Sequence, residues 1–156
     1  MKLNAYSDFL FRSLIYVAIH NDRLVTAREI AESYGLSVHH IAKVCKTLIK
    51  HGVLESQRGR GGGVKLAKPA EEIQLGDILF LASETENVIN CHNGIGGLCK
   101  IVSVCRLKRI FAEAQQAFFS VMNQYTLADL INQPEMADKI KDLLRCNSSS
   151  KSDQST

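Results

Sequence analysis

Apolar positions recur at spacings of three and four along most of the chain, and one short stretch of alternation interrupts this helical period. From about Leu3 to His20, Tyr6, Phe9, Leu10, Leu14, Val17 and Ala18 share one side of a helix, with Asp8 and Arg12 on the other. That charged pair has the spacing of an i,i+4 surface ion pair, worth about 0.3–0.5 kcal/mol. A short second helix is expected over Ala27–Tyr34: Thr26 can cap it, Glu29 three residues on completes a capping box, and Gly35 ends it. Ser37 can cap a third helix, Val38–His51, with Ile41, Val44, Cys45, Leu48 and Ile49 on one face. Val53–Gln57 and Val64–Leu66 then read as strands on either side of the turn RGRGGG, Arg58–Gly63. Leu75, Ile78, Leu79 and Ala82 mark a short helix with an acidic face. Beyond it Leu107, Ile110, Phe111, Ala114, Phe118, Val121, Met122 and Tyr125 recur as a heptad-like stripe over about five turns. Thr126 can cap a last short helix, TLADLI, and Pro134 ends the pattern.

Two short helices about a glycine turn, followed by a hairpin with Arg58 and Arg60 at its tip, form the pattern of a winged helix-turn-helix. The fold expected is mainly α with a small β-hairpin, a winged helix-turn-helix domain plus a long dimerisation helix. In that geometry the first residues of the second helix of the pair face base edges, here Ser37, His39, His40 and Lys43. Lys46 and Lys50 are placed for phosphates, Arg28 is a further DNA-binding candidate, and Arg58 and Arg60 suit a minor groove, whose negative potential favours arginine. The plainer alternative is a helical hairpin inside a bundle. The glycine run is not a nucleotide-binding loop, because it joins strand to strand and no Gly-Lys-Ser/Thr follows. Cys45, on the apolar face of the third helix, reads as core. The long stripe needs a surface to cover it, either its own domain or, as we expect, a second copy packed antiparallel across a twofold.

Composition and charge sharpen this reading. At 156 residues and 46% apolar content the chain can bury one good core, and two prolines with 22% charged residues exclude a largely disordered chain. The segment from Asn147 to Thr156, with no apolar residue, is expected to be disordered. Net charge is only +3, but Val25–Lys68 holds eight Lys/Arg against three Glu, whereas Pro69–Asn90 holds five acids and no Lys or Arg. The first of these segments suits a polyanion and the second does not. Neither a signal-peptide pattern nor a run of 18 apolar residues is present in the sequence, so a cytoplasmic location is expected. In a reducing compartment five cysteines, an odd number, serve better as ligands than as disulfides.

Three of the five crowd into the stretch CHNGIGGLCKIVSVC as Cys91, Cys99 and Cys105, spaced Cys-x7-Cys-x5-Cys. A glycine-rich loop of this kind can bring soft sulfur ligands to one point. Zinc sites usually show paired Cys-x2-4-Cys units, absent here, so an iron–sulfur cluster on three thiolates with a fourth ligand from elsewhere fits better. Three small buried hydrophobes would be the bland alternative. A thiol-dependent enzyme using a cysteine beside His92 is a weaker reading, because the sequence offers no third orienting group or oxyanion site, and the chain is not expected to be an enzyme.

The order of elements, the RGRGGG wing, the three-cysteine loop, CRLK at Cys105–Lys108 and YTLADLI at Tyr125–Ile131 together resemble the NsrR/IscR family of winged-helix iron–sulfur transcription regulators, its nitric-oxide-sensing repressors above all. The resemblance covers Met1 to Asn132. It implies a homodimeric repressor on double-stranded operator DNA, with one iron–sulfur cluster per subunit (4Fe–4S the favoured form, 2Fe–2S the alternative) and nitric oxide as the effector that releases the operator. A regulator whose cluster occupancy reports iron–sulfur supply is the alternative within the family. Where cluster-assembly regulators have a histidine three residues after the third cysteine this chain has Lys108, whose ammonium offers no lone pair. The nitric-oxide sensors can take the fourth ligand from an aspartate on the first helix of the other subunit, and Asp8 matches that position; His92 and water compete with it. The first cysteine gap, seven residues, is longer than in close relatives. The division expected is residues 1–84 for the DNA-binding domain with its wing at 53–67, 85–105 for the cluster loop, 106–145 for the dimerisation and C-terminal helices, and 146–156 for the tail.

Overall fold

The computed structural model describes residues 5–83, 100, 101, 104–132 and 134–149. In chain order the elements are α1 (Ala5–Ile19), α2 (Ala27–Tyr34), α3 (Val38–Lys50), β1 (Leu54–Gln57), β2 (Gly63–Leu66), a 3-10 turn at Ala70–Glu72, α4 (Leu75–Ser83), α5 (Arg106–Met122), a second 3-10 turn at Ala128–Leu130, and α6 (Pro134–Ser149). They group into two compact units, Met1–Ile73 with Thr126–Thr156, and Gln74–Tyr125.

In the first unit α1, α2 and α3 close around Leu10, Leu14, Val17, Val25, Ile30, Ala31, Ile41, Val44 and Leu48, all without solvent exposure. Of these, Leu10, Leu14, Val17, Ile41, Val44 and Leu48 are positions that the helical period marks, and burying each such side chain contributes roughly 1.5–3 kcal/mol against leaving it in water. Thr26 accepts from the Glu29 amide at 3.1 Å and so caps α2. The Glu29 carboxylate, which a capping box turns back toward the Thr26 backbone, is held chiefly by Arg23 and Tyr16, with the Thr26 backbone a lesser contributor. Gly35 ends α2 in the left-handed region, φ 65° and ψ 33°, and its N–H and that of Leu36 turn back onto the last carbonyls of the helix. Glycine takes that conformation without a Cβ clash. Ser37 stands at the N-cap of α3, but its side chain makes no capping bond.

Strands β1 and β2 pair antiparallel with Leu54 opposite Leu66 and Glu55 opposite Lys65, the latter an ion pair at 2.9 Å. The hairpin is tied to the segment before α2 by two bonds, Val25 N–H to the Val64 carbonyl at 3.0 Å and Val64 N–H to the Val25 carbonyl at 2.8 Å. Gly63 makes this approach possible, since a Cβ there would lie 2.7 Å from the Val25 carbonyl oxygen. The wing therefore moves with the helix-turn-helix.

Two C-terminal expectations change. Thr126 does not cap a TLADLI helix: its N–H and hydroxyl both donate to Asp129, at 2.7 and 3.0 Å, around a single 3-10 turn. Pro134 starts a helix instead of ending the pattern. At the first helical position its missing N–H would have had no partner, and its fixed φ suits the turn. The helix it opens, α6, packs on α2 and continues to Ser149.

In the second unit α4 buries Leu75, Ile78, Leu79 and Ala82, and packs on α5 with Phe80 and Phe119 edge to face at 6.2 Å. Helix α5 ends at Met122, so Tyr125 lies beyond it. None of its side chains is buried, and Leu107, Ile110, Phe111 and Val121 are exposed. No helix among the described residues is long and apolar enough to cross a membrane.

Candidate nucleic-acid interface and metal ligands

Helix α3 divides cleanly into two faces because its apolar residues follow the helical period. Ile41, Val44, Cys45 and Leu48 are buried, while Ser37, His39, His40, Lys43, Lys46 and Lys50 are exposed. Burial pushes the Cys45 thiol up to about 11, as an inert core cysteine should be. Ser37, free of capping duty, leaves its hydroxyl available at the start of this face. Arg28 on α2 is exposed, and so are Arg58 and Arg60 in the turn between β1 and β2. The exposed face of α3 and the wing tip thus carry the basic excess read from the sequence, on one rigid unit.

Helix α1 reaches this face directly. The Phe9 ring stacks on His40 with centroids 5.9 Å apart and planes at 18°. The Tyr6 hydroxyl donates to Thr47 Oγ1 at 2.6 Å, and the Lys43 ammonium lies 6.0 Å from the centroid of the Tyr6 ring. Between these two aromatic residues in sequence is Asp8, half-exposed and paired with Arg12 at 2.8 Å. Arg12 also lies over the Tyr34 ring, 5.6 Å from its centroid. Burial raises the Tyr34 hydroxyl to about 12, so it stays neutral beside these charges.

Of the expected metal ligands, Cys105 is half-buried at the N-cap of α5 and makes no capping hydrogen bond there. The first turn of a helix has backbone N–H groups without intrahelical partners, a setting that suits an anionic sulfide cluster beside this sulfur. Cys91, Cys99 and His92 lie outside the described residues. Among the described residues no three His, Cys, Asp or Glu side chains converge on one point. The donor types expected, three thiolates and one carboxylate, nevertheless fit iron–sulfur chemistry. Lys108, where a histidine ligand would stand, is on exposed helix surface.

A network that pattern reading did not find surrounds Glu29. Tyr16 donates to Oε1 at 3.0 Å, Arg23 donates to Oε2 at 3.1 Å and again to Oε1, and the Thr26 cap completes the set. The Arg23 bonds hold the Glu29 carboxyl below its ordinary range, against burial, with Tyr16 assisting. This group edges a cavity of about 210 Å³ lined by Tyr16, His20, Glu29, Ser33, Lys141 and Leu144, among others. The Ser33 hydroxyl in its wall donates to the Glu29 carbonyl at 2.9 Å.

The family model of Rrf2, described as an iron-dependent transcriptional regulator, matches residues 3–133. The chain belongs to the Rrf2 family. Among Rrf2-type relatives it is 39% identical over 132 residues to the HTH-type transcriptional regulator NsrR of Bacillus licheniformis, spanning 84% of this chain and 92% of that one. To NsrR of Bacillus subtilis it is 37% identical, over 86% and 93% of the two chains. Among solved structures, IscR of T. potens superposes with a TM-score of 0.66 at 24% identity, over 88% of this chain and 90% of that one. CymR (YrzC), the global cysteine regulator of B. subtilis, superposes with 0.65 at 22% identity, over 85% and 97%. Both likenesses speak to the fold, which is that of winged-helix Rrf2 regulators. This Rrf2 protein is a transcriptional regulator, similar to NsrR in sequence.

Proposed function

We propose that this Rrf2 regulator is a homodimeric repressor that holds an iron–sulfur cluster on Cys91, Cys99 and Cys105 of one subunit and Asp8 of the other, and that nitric oxide releases it from its operator. The observation that carries this reading is the place of Asp8: it is half-exposed on α1, between two residues in sequence that touch the DNA-facing side chains of α3. A carboxylate there can be drawn away from Arg12 by a metal ion, and the helix that moves with it is the one packed against the recognition helix. Support for the cluster comes from the three-thiol spacing, from the N-cap position of Cys105 and from the sequence similarity to NsrR proteins.

When bound, the cluster would supply iron with which nitric oxide reacts, and an oxygen ligand would leave one iron easier to reach than full thiolate ligation. The chain's own residues do the rest. Asp8 has two competing partners, Arg12 at 2.8 Å within its own helix and the metal of the partner subunit. Helix α5 leaves Leu107, Ile110, Phe111 and Val121 uncovered, an apolar face that a second copy buries. Exposed Ser37, His39, His40 and Lys43 face bases, while Arg28, Lys46, Arg58 and Arg60 bind phosphates and the minor groove.

The test is anaerobic purification followed by iron and sulfide analysis, visible absorption, and titration of one operator with holo, apo and nitric-oxide-treated protein. We expect one cluster per subunit, tight binding by the holo form and weak binding by the other two. Absence of a visible band, or equal affinity of all three forms, refutes the proposal. Tight binding by the nitric-oxide-treated form with weak binding by the apo form would instead mark a reporter of iron–sulfur supply.

A further inference from the structure

We infer that Tyr6 and Phe9 are positioning residues for sequence recognition, setting where the side chains of α3 stand against the bases. They lie three apart on α1, and their partners His40, Lys43 and Thr47 fall three and four apart on α3, so one ridge on each helix meets the other. The three contacts differ in kind. The near-parallel stack of Phe9 on His40 confines the imidazole plane, and with it the directions in which its ring nitrogens can donate or accept. The Tyr6 hydroxyl on Thr47 fixes the rotation of α3 about its own axis one turn further along. The Tyr6 ring also offers its face to the Lys43 ammonium at the outer limit of a cation–π contact, which narrows the sweep of a long flexible side chain.

Such restraint matters for base readout more than for holding DNA. Phosphates accept a cation from many directions, whereas a base edge is told from its neighbours by the placement of one or two hydrogen bonds. A His40 ring or Lys43 ammonium that is free to wander still attracts DNA but discriminates less. The fold itself does not depend on the Phe9 stack, because His40 is exposed and the core of α1 rests on Leu10, Leu14 and Val17. Asp8 lies between the two aromatic residues, so on the function proposed above a pull on Asp8 alters recognition as well as affinity. The specificity argument stands on the α1–α3 contacts alone.

The experiment uses the full-length cluster-loaded protein and a binding sequence that the wild type selects from a random double-stranded DNA pool. Affinity for that sequence, for each single-base variant of one half-site and for unrelated DNA is measured for Phe9→Leu, Phe9→Tyr, Tyr6→Phe, His40→Ala and the double variant Phe9→Leu/His40→Ala. We expect Phe9→Leu to lower the ratio of specific to non-specific affinity about tenfold, with affinity for unrelated DNA and the thermal midpoint unchanged. Phe9→Tyr, which keeps a stacking ring, should restore the ratio, and Phe9→Leu should add nothing once His40 is alanine. Tyr6→Phe, which keeps the ring but loses the Thr47 bond, should fall between. An unchanged ratio in Phe9→Leu, full additivity with His40→Ala, a parallel fall in both affinities together with the thermal midpoint, or a pool that yields no enriched sequence each overturns the inference. Equal operator affinity of holo and apo wild type would sink the proposed cluster function instead, and the Phe9–His40 cycle would still give its own answer.

Discussion

Replacing Asp8 by alanine separates a ligand from a surface ion pair, because the two roles predict opposite orders of effect for Asp8 and Arg12. The Asp8–Arg12 pair is 2.8 Å long with side chains 47% and 42% exposed, so its loss costs about 0.3–0.5 kcal/mol and lowers the thermal midpoint by about 1–2 °C. Arg12→Ala loses the same pair and also the contact over Tyr34, a further 0.5–1 kcal/mol or so. By stability alone, then, Arg12→Ala is the more damaging change. On the ligand reading the order reverses at the operator. A hundredfold loss of affinity requires about 2.7 kcal/mol of coupling between the cluster and DNA sites, several times what the ion pair can supply. Asp8→Ala should therefore keep a cluster on three cysteines and water, change its spectrum, and weaken operator binding far more than Arg12→Ala does. Thermal unfolding, visible spectra and operator titration of the two variants side by side make the measurement. A mixed dimer with Asp8→Ala in one chain and Cys99→Ala in the other then tests the subunit assignment. If the ligand crosses over, both defects fall at one cluster, and the half of the iron that remains shows the wild-type spectrum; a ligand from the same subunit leaves the remaining cluster with the spectrum of Asp8→Ala instead. Wild-type spectrum, nitric oxide response and operator affinity in Asp8→Ala would return Asp8 to the role of a partner for Arg12.

Arg58→Ala and Arg60→Ala should each weaken DNA binding without regard to sequence and reduce the salt slope by about one, whereas changes at Ser37, His39 or Lys43 should cost about 1–3 kcal/mol at a particular base pair; footprinting over a salt series tells the two classes apart. Alanine at Cys91, Cys99 or Cys105 should abolish iron binding, while alanine at Cys45 or Cys146 should keep it, as iron and sulfide analysis will read; full iron content in any of the first three overturns the ligand set. Cys45 in the folded protein should also resist alkylation at neutral pH, because its buried thiol titrates only near 11. The Glu29 carboxyl sits below its ordinary range when folded, so its contribution to stability is complete above the usual carboxylate pKa of about 4.3 and fades as pH falls through the lowered value. Urea unfolding from pH 7 to pH 3 should show Glu29→Gln less stable than wild type at pH 7 and the gap closing in acid; a gap constant with pH refutes the assignment.

What the sequence determined by itself is what short-range periodicity and local backbone chemistry control. The apolar spacing of α1, α2 and α3, the Thr26 cap, the glycine stop at Gly35 and the strand–turn–strand run from Leu54 to Leu66 each depend on residues within a few positions of one another. The basic face of α3 was legible for the same reason, since Ile41, Val44, Cys45 and Leu48 claim the core and leave the histidines and lysines outside. Local reading found the Thr26–Glu29 cap but not the main partners of the Glu29 carboxylate, Arg23 from the turn before α2 and Tyr16 from α1, which offer charge-assisted bonds. It also took Pro134 for a stop, because proline disfavours a helix only where an N–H is needed, and whether a helix begins there was decided by the packing of α6 on α2. Only the tertiary structure paired Phe9 with His40 and Tyr6 with Thr47, contacts across 31 and 41 residues. No periodicity encodes such pairs: each helix fixes its own apolar face, but the facing rows of two helices are chosen by ridge-into-groove packing of the whole core.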